Sequence, residues 1–264
     1  MQIIPKELSK QTLKRLLAAV SFISIMVLCF LKPVAQDEHF HHFADTRNLL
    51  SIDNFWNVVS NLAFLFIGLS ALKKLWGNKI VLVAQIKAVY YIFFVAVLLV
   101  AFGSAWYHYH PTNTTLVWDR LPMTVAFMSL LSIALAEFVS ITAGRIGLIP
   151  FLLTGIFSIV WWQYGEQHHN GDLRLYALVQ FLPILLLALL LLFGQSLYSA
   201  KWGYLILFGA YAVAKLLEYF DWGIFKITGG LVSGHLLKHI MTAAGLWLFL
   251  LYLQKRKPVT LIEV

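Results

Sequence analysis

Two histidines one helical turn apart, His235 and His239, carry the strongest chemical signal in this chain of 264 residues. Residues at i and i+4 share a helix face with side chains about 6 Å apart, so both imidazoles can reach one metal ion. Ser104 and His108 repeat that spacing. If the helix carrying them touches the one carrying His235 and His239, His108 completes a three-histidine set. Three protein ligands with an open fourth position is the pattern of a catalytic zinc. His110 competes with His108, but it sits on the other side of a helix and beside Pro111, where a helix ends, so His108 is preferred. The third signal is Asp119 in Trp118-Asp119-Arg120-Leu121-Pro122. It reads equally as a helix N-cap with Pro122 in the first turn and as a carboxylate that orients and deprotonates a metal-activated water.

The elements that must position these residues are membrane-spanning helices. The chain is 60% hydrophobic and 12% charged, with a mean hydropathy of +0.78. Soluble domains carry roughly 25% charged residues, so a chain this poor in charge has the bilayer as its solvent. Apolar runs cover Leu16–Leu31, Phe55–Leu72, Ala88–Tyr107, Leu121–Gly144, Ile146–Gly165, Leu175–Ala200, Trp202–Phe220 and Ile227–Leu253. Most approach the ~20 residues that cross the hydrocarbon core as a helix, and they are too long for the ~10-residue alternating strands of a membrane barrel. The expected fold is all-α: a polytopic transmembrane bundle, with a seven-helix core over 39–253, an extra N-terminal hydrophobic helix within 1–38 and a short tail at 254–264.

The first run follows Lys6, Lys10, Lys14 and Arg15, as a signal peptide would, but Pro33 spoils the cleavage site, so a retained helix is expected. Alternating spans put thirteen Lys and Arg on the side of the N-terminus and five (Lys32, Arg47, Arg120, Arg174, Lys226) on the other. By the positive-inside rule both termini are cytoplasmic. The net charge of +8 therefore reads as topology, and nucleic acid is not an expected partner. All nine histidines lie on the outer side or in the outer half of a span. The single cysteine, Cys29, reads as an apolar filler.

The arrangement Ser104-x3-His108-x10-Asp119, followed by His235-x3-His239 in the last span, resembles the alkaline ceramidase family, whose wider superfamily includes the adiponectin receptors. Phe55-Trp56-Asn57-Val58-Val59-Ser60-Asn61 is similar to the family's first core helix. The segments around Gly171-Asp172-Leu173-Arg174 and Thr228-Gly229-Gly230 through His235 look like its bacterial branch. The resemblance covers about residues 39–253. It implies a seven-span zinc amidohydrolase in which His108, His235 and His239 hold Zn2+, Asp119 activates the attacking water and Ser104 supports the oxyanion. It further implies hydrolysis of ceramide or a similar N-acyl lipid to a fatty acid and a sphingoid-type amine, at the periplasmic side of a bacterial inner membrane. Animal members resemble one another in an acidic calcium site before the first core helix. Here only Asp45 and Asn54 offer oxygen ligands, Ca2+ needs six to eight, and Arg47 opposes a cation, so calcium is disfavoured.

The remaining charged and histidine residues have structural readings. Lys215 and Glu218, i and i+3, are expected to pair, with Asp221 a turn further on. Glu137 is expected to snorkel at the inner end of its span. Arg174 and Asp172 hold a loop or a lipid headgroup. Lys238 points off the face shared by the two histidines. His41 and His42 read as a solvated loop in preference to an entrance lining, and His168 and His169 as solvated loop residues. Two other classes of function stay open: a bis-histidine haem protein of electron transfer, and a receptor or transporter with a structural zinc.

Overall fold

The computed structural model describes residues 7–259, and it is an all-helical transmembrane bundle. Lys6 of the basic flank and residues 260–264 of the tail lie outside the described residues. The helices are α1 (Lys10–Phe30), α2 (Phe55–Val59), α3 (Leu62–Trp76), α4 (Lys87–Tyr109), α5 (Asn113–Phe138), α6 (Ile141–Gln167), α7 (Arg174–Phe193), α8 (Trp202–Tyr219), α9 (Asp221–Ile227) and α10 (Gly234–Lys255). Seven spans are long and apolar enough to cross a membrane, α2 and α3 together making one of them. The pair α8 and α9, bent by 74° at Phe220, adds an eighth where it is counted as one broken span. Each of the eight expected runs lies largely on one of these helical segments. Large apolar residues such as Phe66, Phe102, Ile146 and Leu153 face outward, as lipid contact requires. Cys29 is on this outer surface too, so it fills no core.

Three departures from the hydropathy reading have local causes. α5 begins at Asn113, eight residues before the apolar run, because Thr112 and Thr115 form a reciprocal capping box. Asp119 therefore lies inside the helix and is not its N-cap. The run that reads as continuous to Gly144 is broken at Ser140, which caps α6 by accepting from the Ala143 amide. α2 and α3 are separated because two side chains claim the Asn57 carbonyl: Ser60 Oγ donates to it at 3.0 Å and Asn61 Nδ2 at 2.7 Å. Such bonds compete with the helix ladder. The break turns Ser60 towards the bundle interior.

At the end of the bundle away from the three histidines the core closes on a buried ion pair. Arg256 Nη1 donates to Glu137 Oε2 at 2.8 Å, and neither side chain has any exposure. Tyr204 donates to the same oxygen at 2.8 Å, Tyr90 donates to Oε1, and Arg256 stacks 3.7 Å from the Tyr198 ring centre. Glu137 therefore does not snorkel. Four helices and the C-terminal segment surround it, and full hydrogen bonding is what makes a dry carboxylate tolerable there. At the outer end, Arg174 pairs with Asp172 at 2.8 Å and donates to the carbonyls of Leu28 and Leu31. This fastens the end of α1 to the start of α7.

Candidate metal centre

α4 and α10 meet through side chains, with Phe93 edge-on to Phe249 in the core and three imidazoles at the outer end. His108 Nε2 lies 3.3 Å from His235 Nε2 and 3.3 Å from His239 Nε2. One ligand atom from each histidine lies within 4.8 Å of the others, and all three residues are buried. Bonds of 2.0–2.1 Å in a tetrahedral zinc site separate the nitrogens by about 3.4 Å, so two of the three separations match metal-ligand spacing. The group could hold a metal ion. Three imidazoles converging on one point suit a single ion better than a haem, whose axial ligands face each other across a bundle.

Each ligand is set by a local device. Ser233 caps α10 by accepting from the Leu236 amide. The His235 amide, one of the free donors of that first turn, is taken by Asp221 Oδ1 at 2.7 Å. Gly234 is required there, since a Cβ on it would lie 2.1 Å from the Leu217 carbonyl oxygen. The ring of His239 is held through Nδ1, 2.7 Å from Ser60 Oγ. His108 has its backbone carbonyl bonded by Asn54 Nδ2 at 2.8 Å. Phe43 packs edge-on against His108 and tilted against His235, with centroids 4.9 and 4.8 Å away.

Asp119 and Ser104 share a cavity wall with His235 and His239. What joins them is Gly103: a Cβ there would fall 1.9 Å from the Trp118 carbonyl oxygen, so α4 and α5 touch backbone to backbone at the residues that precede Ser104 and Asp119. The cavity has a volume of about 250 Å³ and runs inward between α4, α5, α7, α8 and α10 along Phe127, Leu130, Ala134, Leu187, Leu207 and Leu246. It offers an apolar channel with a polar end.

Comparison with protein-family models and with curated proteins finds no match to this chain. The geometry of the site therefore stands on its own residues.

The other residues singled out from the sequence fall as follows. His110 is exposed, the C-cap of α4, and takes no part. Asp45 gives both carboxylate oxygens to Arg47, at 2.8 and 2.5 Å, which holds the Arg47 guanidinium above its ordinary pKa. Asp45 is thus engaged by a cation, and Asn54 donates its amide nitrogen to the His108 carbonyl. Lys215 and Lys238 both pair with Glu218 at 2.7 Å. Lys238 thus leaves the ligand face, as expected, but it still lines the cavity. Asp221 does not join that pair. Its oxygens take the amides of His235 and Ala44. His168 and His169 are exposed.

His41 corrects the solvated-loop reading. Its Nδ1 lies 3.0 Å from Tyr107 Oη and its Nε2 2.9 Å from Asn113 Oδ1, whereas His42 is exposed. The cause is that residues 36–47 fold over the outer end of the bundle. Gln36 bonds Glu166 and Arg120, Phe43 covers the imidazoles, and Ala44 is tied to Asp221. Ser60, Asp221, Phe43 and Arg120 were not legible as site residues. Of these only Ser60 carried a signal, as a polar residue within an apolar run.

Proposed function

We propose that this chain is a zinc-dependent membrane amidohydrolase that cleaves the amide of ceramide or a similar N-acyl lipid, as its resemblance to the alkaline ceramidases implies. The observation that carries the reading is the spacing of the His108, His235 and His239 nitrogens at the polar end of an apolar cavity that Asp119 and Ser104 also line. Three neutral imidazoles suit Zn2+ and leave a fourth position open. An ion there supplies Lewis acidity, polarising a carbonyl and bringing the pKa of water towards ~7.

The chain's own residues do the rest. The apolar channel takes the acyl chain and fixes the amide at the histidines. Asp119 accepts the proton of the attacking water and returns it to the departing amine, so that amide and water give fatty acid and amine. Ser104 donates to the carbonyl oxygen as negative charge gathers on it. Residues 36–47 keep bulk water from the outer face. The excess of Lys and Arg on the opposite side supports a site facing the periplasm of a bacterial inner membrane.

The test is to incubate purified protein with a panel of N-acyl lipids, with and without chelator, and to measure released fatty acid. Chelator-sensitive release that Asp119→Asn abolishes supports the assignment. A protein that holds zinc but releases fatty acid from none of the panel refutes it, and leaves a receptor or transporter with a structural ion.

A further inference from the structure

Arg120 is a buried cation without a carboxylate partner among the described residues. The residue is 5% exposed and belongs to none of the ion pairs among the described residues. Nη2 donates to Gln36 Oε1 at 2.6 Å, and Nη1 has no hydrogen-bond partner. The guanidinium lies 4.5 Å from the Trp162 ring centre, 4.6 Å from that of Tyr176 and 5.5 Å from that of Phe40. Aromatic faces offset part of the cost of removing this charge from water, but an unpaired buried charge remains expensive. Such a group is retained where it has something to bind.

The surroundings say what that is. Arg120 lines the same cavity as Asp119, His235 and His239. Lys215 and Lys238 share the single carboxylate of Glu218, so the wall carries three cations against two carboxylates, Asp119 and Glu218. The field inside the cavity favours an anion. Arg120 also sits at the outer, polar end, beneath Gln36 and Phe40, while the wall formed by α5 turns apolar inward. An acyl chain lying along the apolar part leaves the amine side of the amide near Arg120.

We propose that Arg120 anchors the headgroup, and that among N-acyl lipids the cavity favours those carrying an oxyanion (carboxylate, sulfonate or phosphate) on the amine side of the amide over neutral ones such as ceramide. The planar guanidinium fork suits such a group. The orientation of the lipid rests on the amidohydrolase reading; the anion preference does not.

The experiment is equilibrium binding to detergent-purified full-length protein kept in chelator, so that no turnover intervenes. The probes are N-palmitoylglycine, N-palmitoyltaurine, N-palmitoyl-phosphoethanolamine, neutral N-palmitoylethanolamine and free palmitate. At least one oxyanionic amide is expected to bind about ten- to a hundredfold more tightly than the neutral one. R120Q is expected to erase most of that difference, and R120K, which keeps the charge without the fork, to retain part of it. Equal binding of all four amides by the wild-type protein overturns the proposal, as does an unchanged preference in folded R120Q. If R120Q does not fold, the wild-type preference and R120K decide. Palmitate binding that depends on Arg120 as strongly as the amides do reassigns the residue to the fatty-acid product and overturns the headgroup role. Anion preference without hydrolysis by zinc-loaded protein removes the amidase reading alone. Hydrolysis without preference removes this inference alone.

Discussion

Ser60 Oγ lies 2.7 Å from Nδ1 of His239, and its own proton is already directed to the Asn57 carbonyl at 3.0 Å. The hydroxyl therefore accepts from Nδ1–H, which leaves the lone pair of Nε2 free and aimed at His108 and His235. A partner on the far nitrogen fixes both tautomer and ring orientation of a ligating histidine. Ser60→Ala is expected to weaken metal binding by about ten- to a hundredfold, with Ser60→Thr restoring most of it. Competition against a chelator of known affinity measures this. An unaltered affinity in Ser60→Ala would show that packing alone orients the ring.

Removing a ligand has a larger effect than loosening one. Replacing His108, His235 or His239 with alanine is expected to leave the purified protein substantially depleted of zinc, read by elemental analysis. The same replacement of His110, which is exposed at the end of α4, is expected to leave the zinc content near that of the wild type. A His108→Ala protein with full zinc would dissolve the three-imidazole centre.

Asp119 separates binding from chemistry. It lines the cavity but is not one of the clustered histidine ligands. Asp119→Asn is expected to keep zinc while fatty-acid release falls by about a hundredfold or more. Ser104→Ala is expected to fall less than Asp119→Asn, because it removes one oxyanion donor and no proton acceptor. Turnover at wild-type rate in Asp119→Asn would remove the residue from the proposed reaction.

Gly103 is a packing requirement. Its added Cβ would meet the Trp118 carbonyl oxygen at 1.9 Å, backbone that cannot move aside cheaply, whereas a Cβ at Gly209 meets nothing within 4 Å. Gly103→Ala is expected to destabilise the bundle by about 3 kcal/mol or more, and Gly209→Ala to be neutral or slightly stabilising. Thermal unfolding in detergent distinguishes them. Similar melting temperatures for the two variants would contradict the backbone contact between α4 and α5.

The Asp172–Arg174 clasp makes a pH prediction. The hydrogen bonds from Arg174 hold the Asp172 carboxyl below its ordinary value. A depressed carboxylate contributes stability that is fully present above the unfolded value of about 3.9 and is lost as pH falls through the folded one. Melting temperature should therefore decline below about pH 4 in the wild type, and part of that decline should be missing in Asp172→Asn. Superimposable pH profiles would mean that the clasp adds nothing to folding.

Much of this protein is written in local sequence. Eight apolar runs too long for strands and too poor in charge for water become helices, because the bilayer demands that each run satisfy its own backbone hydrogen bonds. The i, i+4 spacings of Ser104 with His108 and of His235 with His239 fix which side chains share a helix face. Hydropathy misplaced boundaries where polar side chains cut an apolar run or preceded it, as at Ser140, Thr112 and the Ser60–Asn61 break.

What the spacing could not specify was which faces meet. That His108 joins the other two histidines depends on α4 packing against α10, as at Phe93 and Phe249, while Gly103 and Gly234 let α5 and α8 reach backbone contact beside them. That His41 is anchored while His42 is exposed depends on a 12-residue segment (36–47) folding back over the bundle. The burial of Glu137 against Arg256 joins residues 119 positions apart, and the lack of a carboxylate partner for Arg120 among the described residues appears only in the tertiary structure. Periodicity along a helix is a local property of the chain, whereas the partner of a buried charge is set by packing between distant segments.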